Sequence, residues 1–406
     1  MSPDAAIAEF LTGLGQRPLA VAVSGGGDST ALLHLLAGKA DLAAITINHG
    51  LRPEAAAEAA GVAADCVRLG VPHQVLDWRW DGTGNLSDAA RRGRIALIAQ
   101  WALARGIADV VLGHTADDQA ETFLMRLARG SGVDGLSAMS DQRLAQGVMW
   151  HRPVLGIRRA ALRDWLKAQG LAWVDDPTND DAAYLRVRAR AALAALAPLG
   201  ITVETLFDAA KLQAMASAAL WQVAAEAARK IARVDGGDVV FDRAGMITLP
   251  DETQLRLLAH AVMCVSSAIY RPRLSALAQV HAALVIGRKR TLGGCLLTGN
   301  RQVLRVAREW QAVAAVRCGA GEVWDLRWQL VGPDSNGLHI AALGEAGLAV
   351  VPDWRGQGVP RTSLIASPAV WHGADLVAAP LAGMANGWCA ELAQGADSFF
   401  TTLLSH

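Results

Sequence analysis

A chain of 406 residues, 52% of them hydrophobic and 19% charged, can bury substantial cores, which excludes a disordered polypeptide and predicts two or three domains. Its 38 basic residues balance its 38 acidic ones, so the total charge points to no polyanionic partner and only local clustering can. Five scattered cysteines with no C-x-x-C pair argue against a zinc or iron–sulfur centre and fit a reducing cytoplasm.

The opening residues, MSPDAAIAEF, carry two acids and no basic run, unlike a signal peptide. Residues 1–18 predict a short amphipathic helix with Ile7, Phe10, Leu11 and Leu14 on one side. The apolar run 19–23 predicts a strand, followed by Ser24-Gly25-Gly26-Gly27-Asp28-Ser29 and a helix over 30–37. Strand, glycine loop and helix together present backbone N–H groups to a phosphate. Asp28 suits that place if a divalent cation lies between it and the phosphate. Neither a Walker A lysine nor a G-x-G-x-x-G fingerprint is present. A plain glycine turn in which Asp28 or Ser29 caps the helix gives the same pattern.

Further strands are expected at 42–48, 73–77 and 109–112, separated by helices over 53–68 and 86–105. This alternation predicts a parallel α/β sheet with helices on both faces and ligands outside the carboxyl ends of the strands. Ser24, His49 and His114 all fall at that edge. On helix 86–105, Arg91 and Arg94 stand one turn apart, and a permanent guanidinium charge suits a phosphate under attack. If a helix begins near Ala116, Asp118 and Glu121 share a face, where two carboxylates can hold an ammonium group while one takes its proton. Thr115 and Asp118 equally form a capping box, and both readings stay open.

A strand over 148–155, a helix over 159–169 and a polar loop with Asp175, Asp176, Asn179 and Asp180 close the first domain at about residue 190. Alanine-rich helices follow, broken at Pro198-Leu199-Gly200, and the later one is long enough for an inter-domain arm over 191–235. Gly236-Gly237-Asp238 reads as a linker. Residues 236–310 predict a small mixed domain: a strand, two helices and a hairpin over 290–306. Between 271 and 308 stand Arg271, Arg273, Arg288, Lys289, Arg290, Arg301, Arg305 and Arg308 with no acid before Glu309, which reads as a polyanion-binding surface. Residues 320–406, rich in Gly, Pro and Trp, predict a β-rich module. The apolar stretches 212–225 and 274–287 are too short and too polar to span a bilayer, so no membrane partner is expected.

The loop SGGGDS resembles the PP-loop of the ATP pyrophosphatases. Asn48-His49-Gly50-Leu51-Arg52, the run Gly113-His114-Thr115-Ala116-Asp117-Asp118-Gln119-Ala120-Glu121-Thr122 and Arg129-Gly130-Ser131-Gly132 complete an ordered set similar to the tRNA(Ile)-lysidine synthetases, strongest over residues 15–190. The resemblance implies a Rossmann-like, parallel-sheet PP-loop catalytic domain and a two-step reaction on the wobble cytidine of an isoleucine tRNA with a CAU anticodon, and with a tRNA as substrate the basic run makes residues 236–310 a tRNA-binding domain. ATP adenylates the C2 oxygen with loss of pyrophosphate; the ε-amine of free L-lysine then attacks C2 and expels AMP. It further implies that Ser24, Gly25, Gly26, Gly27, Asp28 and Ser29 hold ATP, with Asp28 the ligand of Mg²⁺. Arg94 and Arg186 would stabilise the phosphorus under attack, His114 would lie beside the nucleotide, and Asp118 and Glu121 would bind lysine. Arg186-Val187-Arg188-Ala189-Arg190 departs from the family's R-N-x-x-R at Val187, so Arg186 carries over more firmly than Arg190. Ile95 stands where the family has an aromatic residue. A tRNA thiolase of the same superfamily would need a reactive cysteine, and the nearest, Cys66, falls mid-helix among apolar residues. A non-catalytic tRNA-binding protein would have no use for Asp28, Asp118 and Glu121 together. A homodimer is compatible with the chain.

Overall fold

Strand β1 (Leu19–Ala22) is buried on both faces, and its alternation feeds two cores. Leu19 and Val21 point into one and Ala20 into the other. The computed structural model describes residues 1–50, 55–83, 86–175, 183–333 and 336–404, and the chain divides into two compact units, residues 1–217 and 218–406.

In the first unit β1 is joined by β2 (Leu42–Asn48), β3 (His73–Asp77), β4 (Asp109–Val111), β5 (Gln142–Ala145) and β6 (Val148–His151). The sheet order is β3-β2-β1-β4-β6-β5, parallel except for β5 against β6. The helices are α1 (Pro3–Leu14), α2 (Gly27–Leu36), α3 (Ala55–Leu69), α4 (Leu86–Leu103), α5 (Ala116–Leu127), α6 (Val133–Leu136), α7 (Arg159–Ala168) and α8 (Leu185–Leu196). Ile7 of α1, Leu32 and Leu36 of α2, Cys66 of α3 and Leu162 of α7 cover one face. Ile98, Trp101 and Ala102 of α4 cover the other with Trp150. Among the described residues no single helix is long and apolar enough to cross a membrane.

The chain runs β1, β2, β3 in one direction and then returns to the other side of β1 with β4. The loops after β1 and β4 therefore splay apart at the switch point, where doubly wound sheets bind ligands. They also touch. A Cβ on Gly113, which follows β4, would lie 3.0 Å from the Asp28 carbonyl oxygen and 3.1 Å from the Ser29 nitrogen.

Two expectations change here. The strand expected over 148–155 ends at His151, because Pro153 has no N–H for the ladder, and β5 pairs with it through a hairpin that was not foreseen. Gln146 and Gly147, at φ 53° and 80°, supply the two positive-φ positions of that turn. Gly236 and Gly237 are likewise a turn and not a linker. At φ 58° and 82° they join antiparallel strands β7 (Ala232–Asp235) and β8 (Asp238–Asp242).

In the second unit β7 and β8 belong to a five-stranded antiparallel sheet with β9 (Arg290–Leu292), β10 (Cys295–Gly299) and β11 (Val303–Arg308), in the order β7-β8-β11-β10-β9. Helices Asp251–Ser266 and Leu274–Val285 pack on it, together with the final turns of α9 (Val203–Ile231). A four-stranded antiparallel sheet (Arg317–Gly319, His339–Ala342, Pro368–His372, Asp375–Ala378) and a two-stranded one (Trp328–Val331, Cys389–Leu392) follow. Trp324, Trp328 and Trp388 fill the core of this β-rich portion.

The Gly113 contact yields a direct test. Gly113→Ala should destabilise the protein by about 1–3 kcal/mol, as overpacking against fixed backbone does, and shift the denaturant midpoint downward. An unchanged midpoint would show that the Asp28 loop yields freely.

Candidate active site

The glycine loop sets the floor of the site. Gly25 adopts φ +85°, and Gly26 is the N-cap of α2 with no side-chain cap. Neither Asp28 nor Ser29 is the cap, so the capping alternative is overturned. The Ser29 hydroxyl instead donates to the Gly26 carbonyl at 3.0 Å and accepts from the Ser24 N–H at 3.1 Å, closing the loop on itself. The indole of Trp173 lies 3.3 Å from where a Gly27 Cβ would stand, and the Val174 N–H donates to the Gly25 carbonyl at 3.0 Å. The first-turn N–H groups of α2 are thus left to an external acceptor.

Asp28, in that first turn, points to the N-terminus of α7. Arg159 Nε donates to Asp28 Oδ2 at 3.1 Å, its Nη2 to Asp118 Oδ1 at 3.1 Å and its Nη1 to Glu121 Oε1 at 3.3 Å. One guanidinium therefore holds all three carboxylates that the sequence singled out. Arg190 Nε adds a 2.6 Å bond to Glu121 Oε1. Arg186, more exposed, stands 3.9 Å from Asp118 and 3.8 Å from Glu121. The capping box is formed, and it uses only one oxygen of Asp118. Asp118 Oδ2 accepts from the Thr115 N–H and hydroxyl at 2.9 Å each, leaving Oδ1 for Arg159.

Burial pushes the Asp28 carboxyl up to about 6 despite Arg159 beside it. Burial also works against the charge of Asp118, but Arg159 and Arg186 outweigh it and hold that carboxyl below its usual range. Arg159 itself is desolvated, yet the facing Asp118, Asp28 and Glu121 keep it firmly protonated.

Across the site, His114 follows β4, and burial holds its imidazole down at about 3, so it is neutral at physiological pH. Arg94 is desolvated and repelled by Arg91 and Arg186. His49 packs edge-on to Trp78 at 5.6 Å and is also held below its usual range by burial and by Arg94. Asp28 Oδ1, Glu121 Oε2, His49 Nδ1, Arg94 Nε, His114 Nδ1 and Trp173 Nε1 are buried without a hydrogen-bond partner among the described residues. So many unsatisfied groups at one sheet edge mark a ligand site. Ile95 is partly buried and packs against the core on the α4 side of the sheet. Leu51, Arg52, Asn85, Asp176, Asn179 and Asp180 lie outside the described residues.

Sequence reasoning missed Arg159, although a signal was present. Arg158 and Arg159 stand at the start of α7 with no acid in its first turn, against the helix dipole. A cation kept there implies acids brought from elsewhere.

In the second unit the basic run is not one surface. Arg305 is buried between Asp235 and Asp238, and Arg308 binds Asp325 bidentately at 2.8 and 2.9 Å. These acids lie outside the run, which is why it looked one-sided. Arg273, Arg288, Lys289, Arg290 and Arg301 are exposed.

A family model described as a PP-loop domain matches residues 2–197. The chain is 52% identical to the tRNA(Ile)-lysidine synthase of Ruegeria pomeroyi, over 96% of this chain and 94% of that one. It is 39% identical to the enzyme of the same name from Hyphomonas neptunium, over 73% and 83%. To that from Wolbachia pipientis it is 33% identical, over 82% and 79%.

Removing the guanidinium leaves three carboxylates offset only by Arg186 and Arg190, on the Asp118–Glu121 side. Arg159→Ala should cost roughly 3 kcal/mol near pH 8, the range for orphaning buried charge. The loss should shrink as pH falls toward 4. Wild-type Asp118, with its lowered carboxyl, contributes stability that is present above its unfolded value and lost as pH falls. In the variant the Asp118 carboxyl, without its main cationic partner, rises instead, and protonation relieves the repulsion. Denaturant unfolding at several pH values checks this; a pH-independent loss would mean that Arg159 acts only by packing.

Proposed function

The chain belongs to the tRNA(Ile)-lysidine synthase family of PP-loop, ATP-using ligases, and from that premise we propose how its residues divide the work. It converts an isoleucine tRNA to its lysidine form at the expense of ATP. The reaction we assign joins free L-lysine to C2 of the wobble cytidine of a CAU anticodon, in the cytoplasm. The observation that carries the division of roles is the convergence of Asp28, Asp118 and Glu121 on one cation at the carboxyl edge of the sheet.

For adenylation, the loop Ser24 to Ser29 and the uncapped start of α2 receive the phosphates of ATP. Asp28 is the residue that would hold Mg²⁺. Its buried, unpartnered Oδ1 is a hard oxygen donor, and one carboxylate plus phosphate oxygens is a usual magnesium environment. Bound there, the ion would offset charge on the departing pyrophosphate. Arg94 and Arg186 stabilise the phosphoryl group as the cytidine C2 oxygen attacks it. His114, neutral, offers a hydrogen bond beside the nucleotide without adding charge.

For lysine transfer, Asp118 and Glu121 take the ε-ammonium. Two carboxylates within one turn of α5 attract an ammonium brought up beside them. An ammonium cannot attack, and Glu121, whose Oε2 makes no hydrogen bond among the described residues, is the acceptor for its proton. The free amine then forms the bond to C2, and the C2–O bond breaks with AMP as leaving group. Thiolation is disfavoured because burial pushes the Cys66 thiol up to about 11, far from a ready thiolate. Residues 236–310 serve as a tRNA-binding domain through the exposed Arg288, Lys289 and Arg290.

Mass analysis of tRNA nucleosides after incubation with ATP and lysine tests the reaction directly; absence of lysidine would end this reading. Asp28→Asn should abolish pyrophosphate release. Glu121→Gln should leave adenylated tRNA forming while its conversion slows roughly 10²–10⁴-fold. Equal losses in both half-reactions would remove Glu121 from the lysine step. Replacing Arg288, Lys289 and Arg290 by Ala should flatten log K against log salt by roughly two to three, with ATP affinity unchanged. An unchanged slope would refute these three as phosphate contacts.

A further inference from the structure

Five arginines outside the acid cluster converge in the first unit, none of them in a salt bridge with a carboxylate among the described residues. Arg91 is on α4, Arg126 on α5 and Arg129 just past its end, Arg143 on β5 and Arg152 in the segment after β6. The nucleotide loop makes no use of them.

We propose that Arg91, Arg126, Arg129, Arg143 and Arg152 form an arc that grips the phosphate backbone of the RNA substrate next to the lysidine-forming site. This rests on the tRNA reading above and adds to it where the strand is held. The way the inner two are fixed carries the argument. Arg126 Nη1 donates to the Gly135 and Ala138 carbonyls at 2.8 Å each, and Arg152 Nη1 to the Ser140 carbonyl at 2.7 Å. Neutral carbonyls orient a guanidinium and leave its charge intact. Arg159, Arg305 and Arg308, by contrast, are each neutralised by carboxylates. Arg152 Nε is buried with no partner among the described residues, a donor left for an acceptor from outside. Burial, then Arg91, Arg129 and Arg143, pulls Arg126 below its ordinary range; burial, Arg143 and Arg91 pull Arg152 down to about 10. Asp141 is the acid acting on Arg152, and its Oδ1 already accepts the Gln142 N–H at 2.9 Å. Like charges gathered this closely are a standing cost that bound anions relieve.

The arc is continuous with the site, since the charge of Arg152 also acts on His114. Five cations spread over four elements and their flanks suit a spaced series of phosphates better than one compact triphosphate, which the glycine loop already serves. No aromatic residue stands among the five, so the contacts would position RNA without reading bases.

Arg129 and Arg143 are exposed and belong to no catalytic role, which makes them the safe pair to change. In the full-length protein, the Arg129→Ala/Arg143→Ala double variant should flatten log K against log salt for the tRNA transcript by roughly 1.4–1.8. ATP affinity and the melting temperature should be unchanged, and the corresponding double Lys variant should recover the slope. An unchanged slope with wild-type lysidine formation would overturn the arc and leave it to an acidic protein partner, while the assignment of function stands. If the wild-type protein binds no tRNA and forms no lysidine, the functional reading fails and the arc with it.

Discussion

Three carboxylates cannot face one another in a desolvated cleft and stay ionised without a cation among them. Arg159 is that cation, and the arrangement of the first unit follows from it. Asp28 comes from α2, Asp118 and Glu121 from α5, and the guanidinium from the first residue of α7. Its position opposes the dipole of its own helix, so the acids alone keep it there. The three helices are thereby fixed to one point just beyond the carboxyl ends of β1 and β4.

The backbone supplies the second constraint. Crossing from β3 back to β4 opens a cleft, but the loops flanking it must approach to within a few ångströms for the acids to meet. Gly113 permits that approach against the Asp28 backbone, and Gly27 admits the Trp173 indole against the start of α2. These glycines serve packing beside the site, whereas Gly25 serves the left-handed turn of the loop itself.

Charge on the two units follows opposite histories. The basic run of the second unit loses Arg305 and Arg308 to Asp235, Asp238 and Asp325, all outside it. The arc of the first unit gathers arginines scattered between positions 91 and 152, where no run was visible. A string of like charges in sequence is therefore poor evidence of a surface until the acids that fold onto it are known.

The sequence by itself determined what depends on near neighbours. Strands 42–48 and 73–77 follow from alternation and β-branched residues, α7 from its apolar spacing, and the phosphate loop from glycines that only a tight turn requires. The pairing of Asp118 with Glu121 was legible because i and i+3 share a helix face. Only the tertiary structure decided how that face is used: one oxygen of Asp118 caps its own helix while the other meets Arg159, forty-one residues on. It decided too that Gly236 and Gly237 turn a hairpin, since two glycines permit a positive-φ turn and a loose linker alike. Local periodicity and conformational preference act along the chain, whereas Coulomb attraction and close approach act through space. The site is made of the latter, between segments that the sequence keeps far apart.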